Sequence, residues 1–516
     1  MLVRPHIDTS LKTVATVQSE VYELNVPTDR ALSSRADATN QSSSLRFLTS
    51  RAGVYLGVRY GLGIVVSFGN MLVMTRWIGP HAYGLFVTAM GLTSFLASLT
   101  RGGIDTFLVR AETPPDRRTY DVAATLIALL SLALMLLGVG LTPLLCIWYR
   151  SREFVPAYVA TLFTIPLVGL SGAATAKLER ALNFRAVASI ELGGQLLALV
   201  LSVLLAWRGF GLWAPVTGLL AWQAWAAAGA MKAAKLWPRP AFDRVQARSM
   251  LSFGIGYSAS LRVWQLRTVV NPLVVGRFAG AEGVAYVGLA IRIAEGLGFV
   301  RAAAGRLAIA TLSRLRHDAS KLCLALERAL EIQVFALGPL LCLFAAVAPV
   351  VVPRVLGSRW MPAMHVYPFL AAGVLINSLY NLQASALFVV GRQWTVFRAY
   401  LLHVCILVVA TVAFLPYFGL AGYGCAELAA CGAYRILHTG LGSVIRVSYN
   451  RLAPLVLILL LPPFALLVAK RWTIVFWLPL AASGALALYK HVLRRRETGG
   501  VTRLFLQLRS GWSWPA

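Results

Sequence analysis

The sequence predicts an all-α polytopic membrane protein of about fourteen transmembrane helices. Twelve form two parallel six-helix repeats, and two more follow at the C-terminal end. Three observations predict this. Of 516 residues, 58% are hydrophobic and 13% charged, with a mean hydropathy of +0.70, whereas soluble domains carry about 25% charge. Apolar runs of membrane-crossing length recur throughout the chain. One punctuated stretch, "TRWIGPHAYGLF" (75–86), returns 201 positions later as "GRFAGAEGVAYV" (276–287). Arg76 then falls on Arg277, Trp77 on Phe278, Gly79 on Gly280 and, just beyond, Ala89 on Ala290.

Residues 1–50 are rich in Ser, Thr, Asp and Arg and hold no signal-peptide core. They read equally as a disordered cytosolic tail or as the product of a misplaced start codon. Apolar spans then follow at 54–75, 83–104, 122–148, 155–176, 187–207 and 212–231, an N-terminal lobe covering 51–231. A basic, proline-interrupted linker covers 232–250. The spans 251–275, 284–309, 323–350, 366–390, 398–417 and 420–441 make a C-terminal lobe, 251–441. Spans 453–469 and 472–490 lie in the segment 442–490, before a basic cytosolic C-tail, 491–516. Both lobes enter the membrane from the same side, so the repeats are parallel, related by an axis along the membrane normal. Gly and Pro in the two punctuated stretches make tight turns, while Trp77, Tyr83 and Phe278 suit the lipid–water interface.

The net charge of +28 is spread over short loops. Of 48 Lys and Arg, 31 fall on the side holding both termini, counting Arg328, Arg398 and Lys490 at the cytosolic span ends, and 9 on the other, which places both ends in the cytosol. No basic patch with interleaved aromatics points to nucleic acid. The six cysteines lie in or beside apolar runs without CxxC or Cys/His spacing, so neither metal nor disulfide framework is predicted. No P-loop, HExxH or GxSxG occurs, and no cofactor or catalytic constellation is expected.

The two corners resemble those after helices one and seven of Wzx-type polysaccharide flippases, in the multidrug/oligosaccharidyl-lipid/polysaccharide superfamily. "KLERALNFRAVA" (177–188), "RGFGLWAP" (208–215), "VLGSRWMPA" (355–363) and "ALFVVGRQWTVFRAY" (386–400) extend the likeness over about residues 50 to 450. The resemblance implies two lobes around a central cavity that alternates between inward- and outward-open states. It also implies a substrate, a polyprenyl-diphosphate-linked oligosaccharide, flipped outward for exopolysaccharide, capsule or O-antigen assembly, with membrane lipids and polymerase or export machinery as partners. Two departures stand out. Asn271 replaces a frequent Asp, against carboxylate-based ion coupling at that position, and Ala285 replaces a usual Gly. The lipid II flippase branch and the cation-coupled multidrug branch are the alternatives. The multidrug branch would want carboxylates in spans 1 and 7, which have none. A membrane glycosyltransferase or polymerase would carry a large outer loop or an acidic active site.

Intramembrane charge is functional by default. Leaving aside Glu327, Arg328, Glu331 and Arg398 at cytosolic span ends and counting Asp105 with the end of span 2, the spans hold eight arginines (59, 101, 262, 267, 292, 301, 306 and 435) and four acids, Asp105, Glu191, Glu295 and Glu427. Arg101, Asp105, Arg301 and Arg306 lie near the cytosolic ends, where side chains snorkel. Arg262 lies near the midplane, roughly 15 Å from the start of span 7. It is the first candidate to line the cavity and meet the substrate diphosphate, because guanidinium matches phosphate oxygens. Arg267 and Arg292, at similar depth, are the next. Arg59 is a weaker candidate, and Asn70 and Asn271 share helical stripes with Arg59 and Arg267 respectively. Glu295 is a possible ion-pair or proton site, the competing expectation being that it neutralises Arg267 or Arg292.

Overall fold

The computed structural model describes residues 29–111, 113–298, 312, 318–449 and 452–468. The chain divides into two units, Met1–Val58 and Arg59–Ala516, and the contacts that build the site all lie within the second. Helix α1 (Asp29–Thr100) includes residues 29–50, the second part of the segment read as a tail. No Gly or Pro interrupts 29–52, and once a helix is nucleated each added residue gains a backbone bond. Residues 1–28 lie outside the described residues.

Gly79 breaks α1 with φ 79° and ψ 169°, directly before Pro80. Gly280 breaks α9 (Gly276–Leu297) with φ 66° and ψ −170°. The two residues matched by the 201-residue offset thus adopt the same left-handed, extended conformation, open to glycine and penalised in other residues. Between them run α2 (Ile104–Arg110), α3 (Arg117–Tyr149), α4 (Val155–Leu162), α5 (Thr164–Arg180), α6 (Phe184–Trp207), α7 (Trp213–Ala234) and α8 (Arg244–Val270). After them come α10 (Ala319–Val355), α11 (Ala363–Val389), α12 (Gln393–Phe418), α13 (Leu420–Ala430), α14 (Arg435–Gly442) and α15 (Leu452–Val468). Helix pairing repeats across the linker: α6 on α7, α5 on α7 and α3 on α5 are matched by α12 on α13, α11 on α13 and α10 on α11.

Among the described residues, eight helices are long and apolar enough to cross a membrane. Two of them, Val65–Thr100 and Ala259–Leu297, contain the glycine breaks. The expected span 472–490 and the C-tail lie outside the described residues. Leu136, Ile147 and Val409 are well exposed, as apolar side chains are when lipid is the solvent.

The ends of the bundle are finished differently. On the face carrying the linker, side chains cap helix starts: Asp116 accepts from the Thr119 N–H (2.8 Å), Asp243 from Val245 N–H (2.9 Å) and Asp318 from Lys321 N–H (3.0 Å). These bonds hold the exposed Asp116 and Asp318 carboxyls below the usual carboxylate range. Arg117 donates to the carbonyls of Lys235 and Trp237 and so ties the linker to α3. On the corner face backbone meets backbone: a Cβ built on Gly84 would stand 1.8 Å from the carbonyl oxygen of Ala281. Around this seam Arg76 donates to the carbonyls of Arg354 and Val355, Arg359 to that of Arg76, and Trp360 Nε1 to that of Thr75.

Between α8 and α9 the chain forms a π-helical turn, Asn271–Val275. Pro272 lacks an N–H, so the regular hydrogen-bond ladder cannot run through it. The end of α3 satisfies two carbonyls there: Tyr149 Oη donates to Pro272 O (2.9 Å) and Trp148 Nε1 to Leu273 O (2.8 Å).

Candidate functional site

A cavity of about 470 Å³ opens between α1, α2, α5 and α7 on one side and α8 on the other. Its wall is polar for a membrane protein, with Ser94, Arg101, Asp105, Gln223, Arg262 and Gln265 facing it. The local chain explains the placement. Gly102 and Gly103 take φ 53° and 82°, ending α1 and restarting the chain as α2. Asp105, in the first turn of α2, is thereby carried back to Arg101, Nη1 to Oδ2 3.9 Å. Arg101 also donates to Ser171 Oγ at 3.4 Å. Both were expected to be anchors at the membrane surface; both instead line the cavity. The glycine pair is the sequence signal that could have shown this.

Arg262 enters the same cavity from α8. Among the described residues it has no hydrogen-bond or ion-pair partner. Two guanidinium groups thus share the cavity with one carboxylate, a net charge of +1. Such a cavity accepts an anion, and its amide and hydroxyl groups offer further hydrogen bonds to a polar molecule.

Arg267 is held very differently. Its Nε donates to Glu427 Oε1 at 2.8 Å, its Nη2 lies 2.8 Å from the same oxygen, and its Nη1 donates to Glu295 Oε1 at 3.0 Å. The Arg267 side chain is 12% exposed, Glu427 6% and Glu295 41%. Trp264 lies 5.4 Å from the guanidinium carbon and packs on the His403 ring at 5.2 Å. Arg267 was expected to be a cavity ligand for the diphosphate; in the structure two carboxylates occupy its donors. Glu295 was expected to pair with an arginine, and it does, with Arg267 rather than with Arg292. Glu427 stands 160 residues from Arg267 in the chain, and no helical spacing links them, so sequence reasoning missed it as a partner.

The remaining candidates are scattered. Arg292 reaches Met90 Sδ at 3.5 Å and has no carboxylate partner among the described residues. Asn271 is buried, 4% exposed, and donates to the Val284 carbonyl at 3.2 Å. It ties the π turn to α9 and is not among the described residues that line this cavity. Asn70 is half-buried, its Oδ1 without a partner among the described residues. The side chain of Arg59 lies outside those described, as do Arg301 and Arg306. The described residues contain no group of three His, Cys, Asp or Glu able to hold a metal.

With the geometry in place, similarity to known proteins can be read. Residues 73–365 match the family described as "Polysaccharide biosynthesis protein". The succinoglycan biosynthesis transport protein ExoT of Rhizobium meliloti (strain 1021) is 25% identical over 310 residues, 59% of this chain and 62% of that protein. The chain therefore aligns with less than two thirds of that relative's length. Among solved structures, the lipid II flippase MurJ in an inward closed conformation superposes with a TM-score of 0.70 at 15% identity, covering 86% of this chain and 99% of that one. An inward-facing MATE-family multidrug transporter of the MOP superfamily gives 0.58 at 17% identity, covering 76% and 98%. At such identities the likeness is one of fold.

Proposed function

Because the chain belongs to the polysaccharide biosynthesis protein family, we propose that it is a flippase for a polyprenyl-diphosphate-linked oligosaccharide. It works by alternating access in a bacterial inner membrane, with both termini cytosolic, and performs no covalent chemistry. The single observation that carries the reading is the cavity guanidinium of Arg262, which has no hydrogen-bond or ion-pair partner among the described residues, the one cavity carboxylate, Asp105, being paired with Arg101. A diphosphate leaving water for hydrocarbon loses hydration that lipid cannot replace, and a fixed guanidinium offsets that loss without any proton transfer. The hydroxyl and amide groups beside it suit sugar hydroxyls. Arg101 joins Arg262 as a substrate contact in this reading; Arg292 is a contact further along the path. No ATPase motif occurs in the sequence, so the driving force is the membrane potential, about 2.3 kcal/mol per charge per 100 mV, or consumption of the flipped product.

A second reading, a lipid II-type flippase, is favoured by one observation, the TM-score of 0.70 to MurJ. Deleting the gene separates the two. The expected outcome is that a lipid-linked oligosaccharide of a secreted polysaccharide accumulates at the cytosolic face while cell-wall synthesis continues. Accumulation of lipid II would replace the first reading with the second, and accumulation of neither would overturn both.

A further inference from the structure

The molecule has a second recess, unlike the first in every respect. It measures about 770 Å³ and is walled by the end of α3, the outer half of α8 with the π turn, and α12, with Leu144, Trp148, Leu273, Val274, Val404 and Val408 among its lining residues. The lining is nearly all hydrocarbon. Leu144 and Ile147 are 61% and 74% exposed, so the recess opens sideways, toward lipid. Among the described residues its only charges are two guanidiniums at the corner-face end, Arg150 and Arg277. Among the described residues neither has a hydrogen-bond or ion-pair partner. Arg277 lies 5.9 Å from the Trp148 ring, and Trp148 is itself fixed by its bond to the Leu273 carbonyl. The nearby acids are turned elsewhere: Glu153 meets His81 at 2.8 Å and Glu282 faces Tyr286.

We infer that this recess seats the isoprenoid chain of the diphosphate-headed lipid carrier, with Arg150 and Arg277 taking the two phosphoryl groups. The inference rests on the flippase reading above and assigns that substrate a second seat on the face read as outer. An apolar wall offers nothing to a sugar, whose hydroxyls would be desolvated without partners, but it offers a hydrocarbon chain continuous contact. A volume of this size suits a chain of many carbons. Two guanidiniums lining one recess match a diphosphate, which carries more charge than the single phosphate of most phospholipids. Basic residues are also scarce on this face, 9 of 48 in the sequence, and two of them converge on one recess.

The test uses the full-length protein in phosphatidylethanolamine nanodiscs and, as probe, farnesyl diphosphate carrying a benzophenone. Irradiation is expected to label peptides spanning 144–150 and 269–277. Undecaprenyl diphosphate should compete, whereas farnesol, inorganic diphosphate and phosphatidylglycerol at the same concentration should not. Arg150→Gln with Arg277→Gln is expected to cut labelling at least tenfold, and the two Lys variants to keep most of it. Val408→Trp, which fills the recess and leaves both arginines, should also cut it. Unchanged labelling in the double Gln variant, equal competition by phosphatidylglycerol, or labelling elsewhere in the chain would each overturn the proposal. Labelling at the recess in a protein whose deletion accumulates no lipid-linked oligosaccharide would instead retain the seat and remove the flippase reading.

Discussion

Five positions separate Arg262 from Arg267 on one helix, yet they sit in opposite environments. Arg262 faces a polar cavity with no described partner, while Arg267 is gripped by Glu295 and Glu427 and covered by Trp264. Both have the same chemistry, and about 7.5 Å of helix axis separates them. The difference lies in what the neighbouring helices bring: α9 and α13 present carboxylates to Arg267, and α1, α2 and α7 present hydroxyls, amides and one already engaged acid to Arg262. An intramembrane arginine is therefore a ligand site only where its counter-charge is left for the substrate to supply.

The largest effect that could break this contrast comes from Arg267. Arg267→Met leaves two carboxylates facing each other, one of them buried, and breaking a buried ion pair in this way is worth about 3–5 kcal/mol. Thermal unfolding in detergent should show a large loss, restored for the most part by adding Glu427→Leu. A single Arg267→Met variant as stable as the parent and inactive in transport would make Arg267 a ligand after all.

Arg262 should behave in the reverse manner. Arg262→Ala is expected to leave the unfolding temperature near that of the parent and to lower transport about 10- to 100-fold, the equivalent of a charged hydrogen bond of about 1.5–3 kcal/mol. Arg262→Lys should retain more activity than Ala, because charge survives while the fork is lost. A stability loss equal to that of Arg267→Met would erase the distinction between the two.

The smallest effect concerns Arg292. Since Glu295 faces Arg267, adding Glu295→Ala to Arg292→Ala should not rescue whatever transport the single variant loses. Rescue, measured as surface polysaccharide restored to parental level, would mean that Glu295 changes partner during the cycle.

What the sequence made legible follows the range of each interaction. Gly79 and Gly280 could be paired in advance because a left-handed φ demands a particular residue, and that demand is written at one position. The place of Arg262 along α8 was legible too, since it needs only a count along a helix. The Arg267–Glu427 pair was not, because nothing in either residue's surroundings marks a partner 160 positions away. Arg101 and Asp105 were read as surface anchors, and the two glycines between them, which carry both to the cavity wall, were the local signal left unread.

The seam at Gly84 and Ala281 has a kinetic consequence. It is closed by main chain at Gly84 and by the buried Trp360 ring against Tyr83 and Tyr286, so parting it strips no buried charge of its partner. The carbonyls released when Arg76, Arg359 and Trp360 let go can be met at once by water. In the proposed transport cycle, the dwell time of the shut state is then set by how many of these few hydrogen bonds must be absent together. Such a hasp is timed by bond number, and each donor removed should shorten the wait without altering what passes through.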